Sequence, residues 1–290
     1  MIALVPVLVV FAIFVVYFYV AQWREQRLRG KPFPAAWRLI LEVSLPIYFA
    51  LSPEEQNRLC QLVQVFIARK RFYGCGGLAI TDEIRITIAA QACLLLLKKG
   101  WRVYPKLTSV LVYPGAFRVD QERHQPDGTV VVGHHNLLGE SWGNGRVILS
   151  WDDVEKGVSD FTDGHNVVLH EFSHQLDAES GSMNGASLLR RNSYKSWAKV
   201  FSDNFESLQC ESLHGHATVM DAYAATNPAE FFSVATETFF EKPQQLHQTH
   251  PLVYEELSQY YQMDPREWSP ENICEVEAIS MDRGRSSMGA

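Results

Sequence analysis

The stretch Val167–Asp177, VVLHEFSHQLD, constrains this chain more than any other. Val167, Val168, Leu169, Phe172 and Leu176 make most of a helix here apolar, so the helix has to be enclosed by a domain. Asp163 or Asn166 can cap its start. Within it, His170-Glu171-Phe172-Ser173-His174 reads HExxH. Residues four apart stack on one helical face, so the two imidazoles can share a cation, with Glu171 on the adjacent flank. Zinc suits that arrangement, since neutral imidazoles bind it at about 2.0–2.1 Å. It also lowers the pKa of a water from about 15.7 to about 7, within reach of a neighbouring carboxylate base. Glu171 is placed to be that base rather than a ligand. A packed histidine pair on an amphipathic helix is the competing reading, and the apolar surroundings of an active-site helix weigh against it.

Composition then limits the alternatives. A chain of 290 residues, 47% hydrophobic, can bury one large domain. Its net charge of −7 gives no overall electrostatic footprint for nucleic acid. The five cysteines, Cys60, Cys75, Cys93, Cys210 and Cys274, are scattered and form no CxxC pair. They point to neither a disulfide framework nor a cysteine-bound metal, in keeping with a reducing compartment.

Residues 1–23 contain no charged side chain. As a helix they would span about 33 Å, enough for a bilayer core of about 30 Å. Tyr17, Tyr19 and Trp23 form an interfacial belt at one end, and Arg24, Arg27, Arg29 and Lys31 follow at once. A signal peptide would carry its basic residues before the apolar run. The expectation is therefore a single-pass anchor in the inner (cytoplasmic) membrane, with the catalytic domain facing the cytoplasm. Residues 24–50 read as a juxtamembrane linker, 51–268 as the metallopeptidase domain and 269–290 as a disordered tail.

Inside the domain, Ser52-Pro53-Glu54-Glu55 opens a helix with a serine cap, proline at the first position and acid in the first turn. A second helix is expected over Thr81–Leu97, and one or two strands over Trp101–Tyr113. Pro114–Gly145 reads as an unusually long polar connection, whose His124, His134 and His135 read as solvated loop histidines. Arg146–Trp151 reads as an edge strand able to pair with an extended substrate. Further helices are expected over Ser187–Leu208, Asn227–Phe240 and Pro243–Gln262.

A catalytic zinc site needs a third protein ligand. Asp177 lies on the histidine face but is short, and better suited to orienting a ligand. His214 and His216 form an HxH pair in an expected loop. Glu230 falls in the first turn of a helix started by Asn227-Pro228, and Glu237 is one heptad further on the same face. Glu230 has a rival role: in Asn-x-x-Glu it can close a capping box on Asn227. Spacing alone leaves these alternatives open.

The pieces TDEIRITIAAQACLLLL, GESWGNGRVILSWDDV, NVVLHEFSHQLD, DAYAATNPAEFF and ETFF, in that order, resemble the Mlc titration factor A family of zinc-dependent peptidases. The resemblance implies an α+β, zincin-like metallopeptidase domain of gluzincin type, mainly helical with a small sheet, and a site similar to that of anthrax lethal factor. Behind one transmembrane helix, such a domain would bind one Zn2+ per chain through His170, His174 and Glu230. Glu171 would be the general base, and Tyr223, seven residues before the third ligand, would polarise the substrate carbonyl. The family is associated with aminopeptidase activity on peptides and with binding a transcriptional repressor. The amino-terminal anchor departs from its soluble members. The alternative to an enzyme is a membrane-tethered module that captures a transcriptional regulator. Direct nucleic-acid binding is not expected.

Overall fold

The computed structural model describes residues 15–16, 19–20, 22–115, 117–124, 130–137, 139–142, 145–179, 181, 185, 194–215 and 218–268. The expected membrane segment, 1–23, and the tail, 269–290, therefore fall largely or wholly outside the described residues. Among those described, no helix is long and apolar enough to cross a membrane.

The fold is mostly helical around a small sheet. Helix α1 (Ala35–Ser44) packs on the helix Asp82–Leu94, burying Leu41 completely. The second half of the expected linker is thus part of the domain, because its apolar side chains find a partner in the core. Helix α2 (Pro53–Arg69) starts as its sequence dictates. Ser52 and Glu55 form a complete capping box, and Leu59, Leu62, Val63 and Phe66 face inward. Helix α3 (Asp82–Leu94), capped by Thr81, is buried on nearly every side and forms the central post of the core. Phe66, Tyr104 and Phe172 meet in mutual ring contacts that join α2, the segment leading into the strand Ser109–Tyr113 and the HExxH helix. Burying side chains of this size stabilises by about 1.5–3 kcal/mol each.

Strands β1 (Arg71–Gly74), β2 (Ser109–Tyr113) and β6 (Arg146–Ser150) run parallel, and β5 (Gly139–Trp142) closes the sheet antiparallel to β6, in the order β1-β2-β6-β5. Alternation puts Val110, Val112, Val147 and Leu149 on the inner face, all fully buried. Strands β3 (Phe117–His124) and β4 (Val130–Leu137) pair as a separate antiparallel hairpin. Two expectations are corrected here. Much of Pro114–Gly145 is strand rather than loop, because Phe117–His124 and Val130–Leu137 satisfy their backbone by pairing with each other. His124, His134 and His135 lie in that hairpin, where side chains are outside the description. Arg146–Ser150 is an interior strand whose two edges are taken by β2 and β5, so it cannot be the strand that pairs with a substrate; the sheet ends at β5.

Helix α4 (Trp151–Ser159) leads into α5 (Val167–Ala178), the HExxH helix, which packs against α3, α4, β5 and β6. Helix α6 (Tyr194–Leu213) extends through what was expected to be the start of a loop. Helix α7 (Pro228–Glu241) follows a short 3-10 turn over Ala222–Ala225. The expected last helix is two, α8 (Pro243–Thr249) and α9 (Pro251–Tyr261), since Pro251 cannot continue α8 and instead starts α9. Trp197 and Phe201 of α6 stack at 4.0 Å and press on Phe231 and Phe232 of α7, which fixes the helix that carries Glu230.

Candidate metal centre

The site lies in the seam between α5 and α7, which run antiparallel. Asn166 starts α5 by accepting hydrogen bonds from the amides of Val168 and Leu169 at 3.1 and 3.0 Å, while Asp163 turns instead to the His165 amide. Asn227 starts α7 in the same way, accepting from Ala229 and Glu230 at 2.9 and 3.1 Å. The Glu230 side chain then decides between its two possible roles. Its carboxylate is turned across the seam, with Oε2 3.0 Å from His170 Nε2 and 3.3 Å from His174 Nε2. Among the described residues, His170, His174 and Glu230 are the one group of three whose ligand atoms gather this way, all within 4.8 Å.

These spacings fit a metal ion. Ligand atoms about 2.0–2.1 Å from a tetrahedral centre stand about 3.3 Å from one another. The charge balance agrees. Burial by itself would lower the His170 imidazole, yet the Glu237, Glu230 and Glu171 carboxylates hold it well above the ordinary histidine range. Burial would raise the Glu230 carboxyl, and hydrogen bonds from both imidazoles bring it far below the carboxylate range. His174, for which burial prevails, lies below the histidine range. Several carboxylates around two imidazoles call for positive charge at their centre, which a divalent cation supplies.

The nitrogens facing away from that centre are held by other side chains. His170 Nδ1 lies 2.7 Å from Glu237 Oε1, and His174 Nδ1 lies 3.0 Å from Ser233 Oγ, which is also 3.3 Å from Nε2. Ser173 donates to Ser233 at 2.6 Å, tying the helices together. Glu237 also accepts from the Asn166 amide at 2.6 Å, and Asn166 Nδ2 donates to Glu241 at 3.1 Å. One carboxylate thus fixes the His170 ring and the start of α5 together. Sequence reasoning offered Glu237 only as a spare ligand. The signal was available: two turns beyond Glu230 on an antiparallel helix, a side chain meets the start of α5.

Glu171 is 4% exposed and sits beside the centre. Tyr223 lies on the 3-10 turn, its amide held by Asp221 at 2.7 Å, with its ring 6.0 Å from that of His170. Burial, together with Glu230 and Glu171, pushes its phenol up to about 12. It is half exposed, at the open side of the site. Asp177 accepts the Gly185 amide at 2.7 Å, and Gly185 in turn accepts from Trp197 Nε1, so this acid ties α5 to the segment before α6. Gly185 is irreplaceable there: φ is +74° and a Cβ would stand 2.5 Å from the Pro228 carbonyl oxygen. His214 bonds the Cys210 carbonyl at the end of α6, away from the ligand group, and His216 lies outside the described residues.

The family model of glucose-regulated metallo-peptidase M90 matches residues 20–262. The chain belongs to this family. An uncharacterized protein of Synechocystis sp., slr2042, is 45% identical over 84% of this chain and 89% of its own. Proteins named Mlc titration factor A are similar as well. That of Klebsiella pneumoniae is 33% identical over 81% of this chain and 89% of its own, and that of Serratia proteamaculans 32% over 83% and 94%. As an M90 metallo-peptidase, the chain has in the α5–α7 seam a metal-binding arrangement that agrees with its family's chemistry.

Proposed function

We propose that this chain is a zinc-dependent, aminopeptidase-like peptidase, anchored in the inner (cytoplasmic) membrane by residues 1–23 with its domain facing the cytoplasm. The observation that carries the peptidase reading is the convergence of His170 Nε2, His174 Nε2 and Glu230 Oε2 beside a buried Glu171. When bound by His170, His174 and Glu230, zinc supplies a Lewis acid that brings a water's pKa toward about 7 and polarises a carbonyl. Glu171 accepts the proton of the attacking water and returns it to the nitrogen of the leaving amine. Tyr223, neutral at working pH, donates its hydroxyl proton in a hydrogen bond to the substrate oxygen as charge builds there. Glu237 and Ser233 hold the histidine rings in one orientation throughout.

The test is hydrolysis of a mixed peptide library, with free and blocked amino ends, by the wild type and Glu171→Gln. Cleavage by the wild type alone, with preference for free ends, supports the reading; equal cleavage by both proteins overturns it. A second reading, capture of the factor Mlc, is favoured by the name its relatives carry, Mlc titration factor A. It predicts Mlc binding that Glu171→Gln leaves unchanged. The anchor is tested by alkaline extraction of membranes, which a spanning helix resists.

A further inference from the structure

We propose that the outer face of the sheet holds a binding site for the phosphate headgroup of an anionic phospholipid, gripped between Arg71 and Arg146. The register aligns Arg71, Ser109 and Arg146 across three parallel strands, on the face opposite the buried valines. Neighbouring strands stand about 4.8 Å apart, so the two arginines flank Ser109 at Cα positions about 10 Å from each other. Both are exposed, and neither guanidinium has a hydrogen bond or ion pair among the described residues. Long guanidinium side chains at that spacing can close on one phosphate from both sides.

The two arginines line a groove of about 830 Å³ that no described carboxylate lines. Lys70 lies beneath it, its ammonium donating to the carbonyls of Tyr104 and Leu107 at 2.6 and 2.7 Å; burial brings it down to about 8, so it still carries most of its charge at neutral pH. In a chain of net charge −7, this is a local reversal of sign. Tyr73 and Leu111, in the next row of the same face, give the groove an apolar wall, which suits an amphiphile better than a free ion. Location favours a membrane source. Arg69, at the rim, pairs with Glu25 at 2.6 Å, and Arg29 stacks over Trp101, so the helical residues 22–29 lie alongside the groove. Those residues lead directly from the apolar segment. The choice of a lipid over a soluble phosphate rests on the anchor proposed above, which would hold the groove at headgroup level.

The experiment is calorimetric titration of the full chain, in nonionic detergent at low salt, with short-chain phosphatidylglycerol below its micelle threshold. Phosphatidylcholine of the same chain length and inorganic phosphate are the other probes. Phosphatidylglycerol should bind, and both other probes should bind about tenfold or more weakly. The double variant Arg71→Gln/Arg146→Gln should weaken phosphatidylglycerol by about tenfold to thirtyfold, with metal content and peptide hydrolysis unchanged. Lys199→Gln, outside the groove, should change nothing. Unchanged affinity in the double variant, no preference over phosphatidylcholine, or inorganic phosphate binding equally tightly would each overturn the proposal. A short-chain lipid needs no anchor to reach the groove, so failure here and failure of the membrane extraction are separate results.

Discussion

The α5–α7 seam and the outer face of the sheet each collect charges of one sign, and they hold them by opposite means. In the seam the carboxylates of Glu171 and Glu237 are at most 6% exposed, and the His170 ring and the Asn166 amide meet Glu237 with hydrogen bonds. Buried charge is too costly to leave unpaired, so the geometry is set before any ligand arrives. On the outer face Arg71 and Arg146 stay in water, where an unpartnered charge costs little, and only a ligand would bring them together. Changes in the seam should therefore alter chemistry and metal affinity, while changes on the sheet should alter affinity for an anion alone.

The sharpest way to break that contrast is Glu171→Gln. The amide keeps the size of the side chain but cannot take a proton, so hydrolysis should fall by about 10²–10⁴-fold with metal content intact. Metal analysis beside the rate measurement separates the two. Tyr223→Phe comes next. Loss of one oxyanion donor costs about 10²–10³-fold in kcat, and because Tyr223 is half exposed the fold should not notice. A rate unchanged by this substitution would take Tyr223 out of the mechanism. Glu237→Gln tests whether the seam is set in advance. It removes the charge that orients His170 and should weaken zinc binding by about 10–100-fold in a chelator competition. Unaltered affinity would mean the His170 ring is positioned by packing alone.

These residues also mark what can be read from sequence. Ser52-Pro53 and Asn227-Pro228 announce helices because their chemistry is local: a side-chain oxygen meets an amide two or three residues on. The histidine pair is equally local, being one turn of one helix. The fate of Glu230 is not local, because the same Asn-x-x-Glu closes a capping box or reaches another helix depending on what that helix presents. Strand β1 escaped notice since four residues, Arg-Phe-Tyr-Gly, carry no usable periodicity; pairing with β2 makes them a strand. The hairpin β3–β4 read as loop because its residues are largely polar. The row of Arg71, Ser109 and Arg146 is the extreme case, three residues far apart in the chain that only strand register brings together.

Glu241 is where the seam's rule of pairing is least well met. Burial pushes its carboxyl up to about 8; Glu237 and Asp163 push the same way, and the Asn166 amide works against them. Unfolded, it would titrate near the ordinary 4.5. Between those two values the folded protein keeps a proton that the unfolded chain has released, so stability falls as pH rises across that window and levels off above about 8. Glutamine at this position still accepts from Asn166 and never ionises. The melting temperature of Glu241→Gln relative to wild type should therefore stay close near pH 5, widen in favour of the variant towards pH 8, and then hold steady. A difference independent of pH would mean that water reaches Glu241, and that the α5–α7 seam tolerates a solvated charge as readily as the outer sheet does.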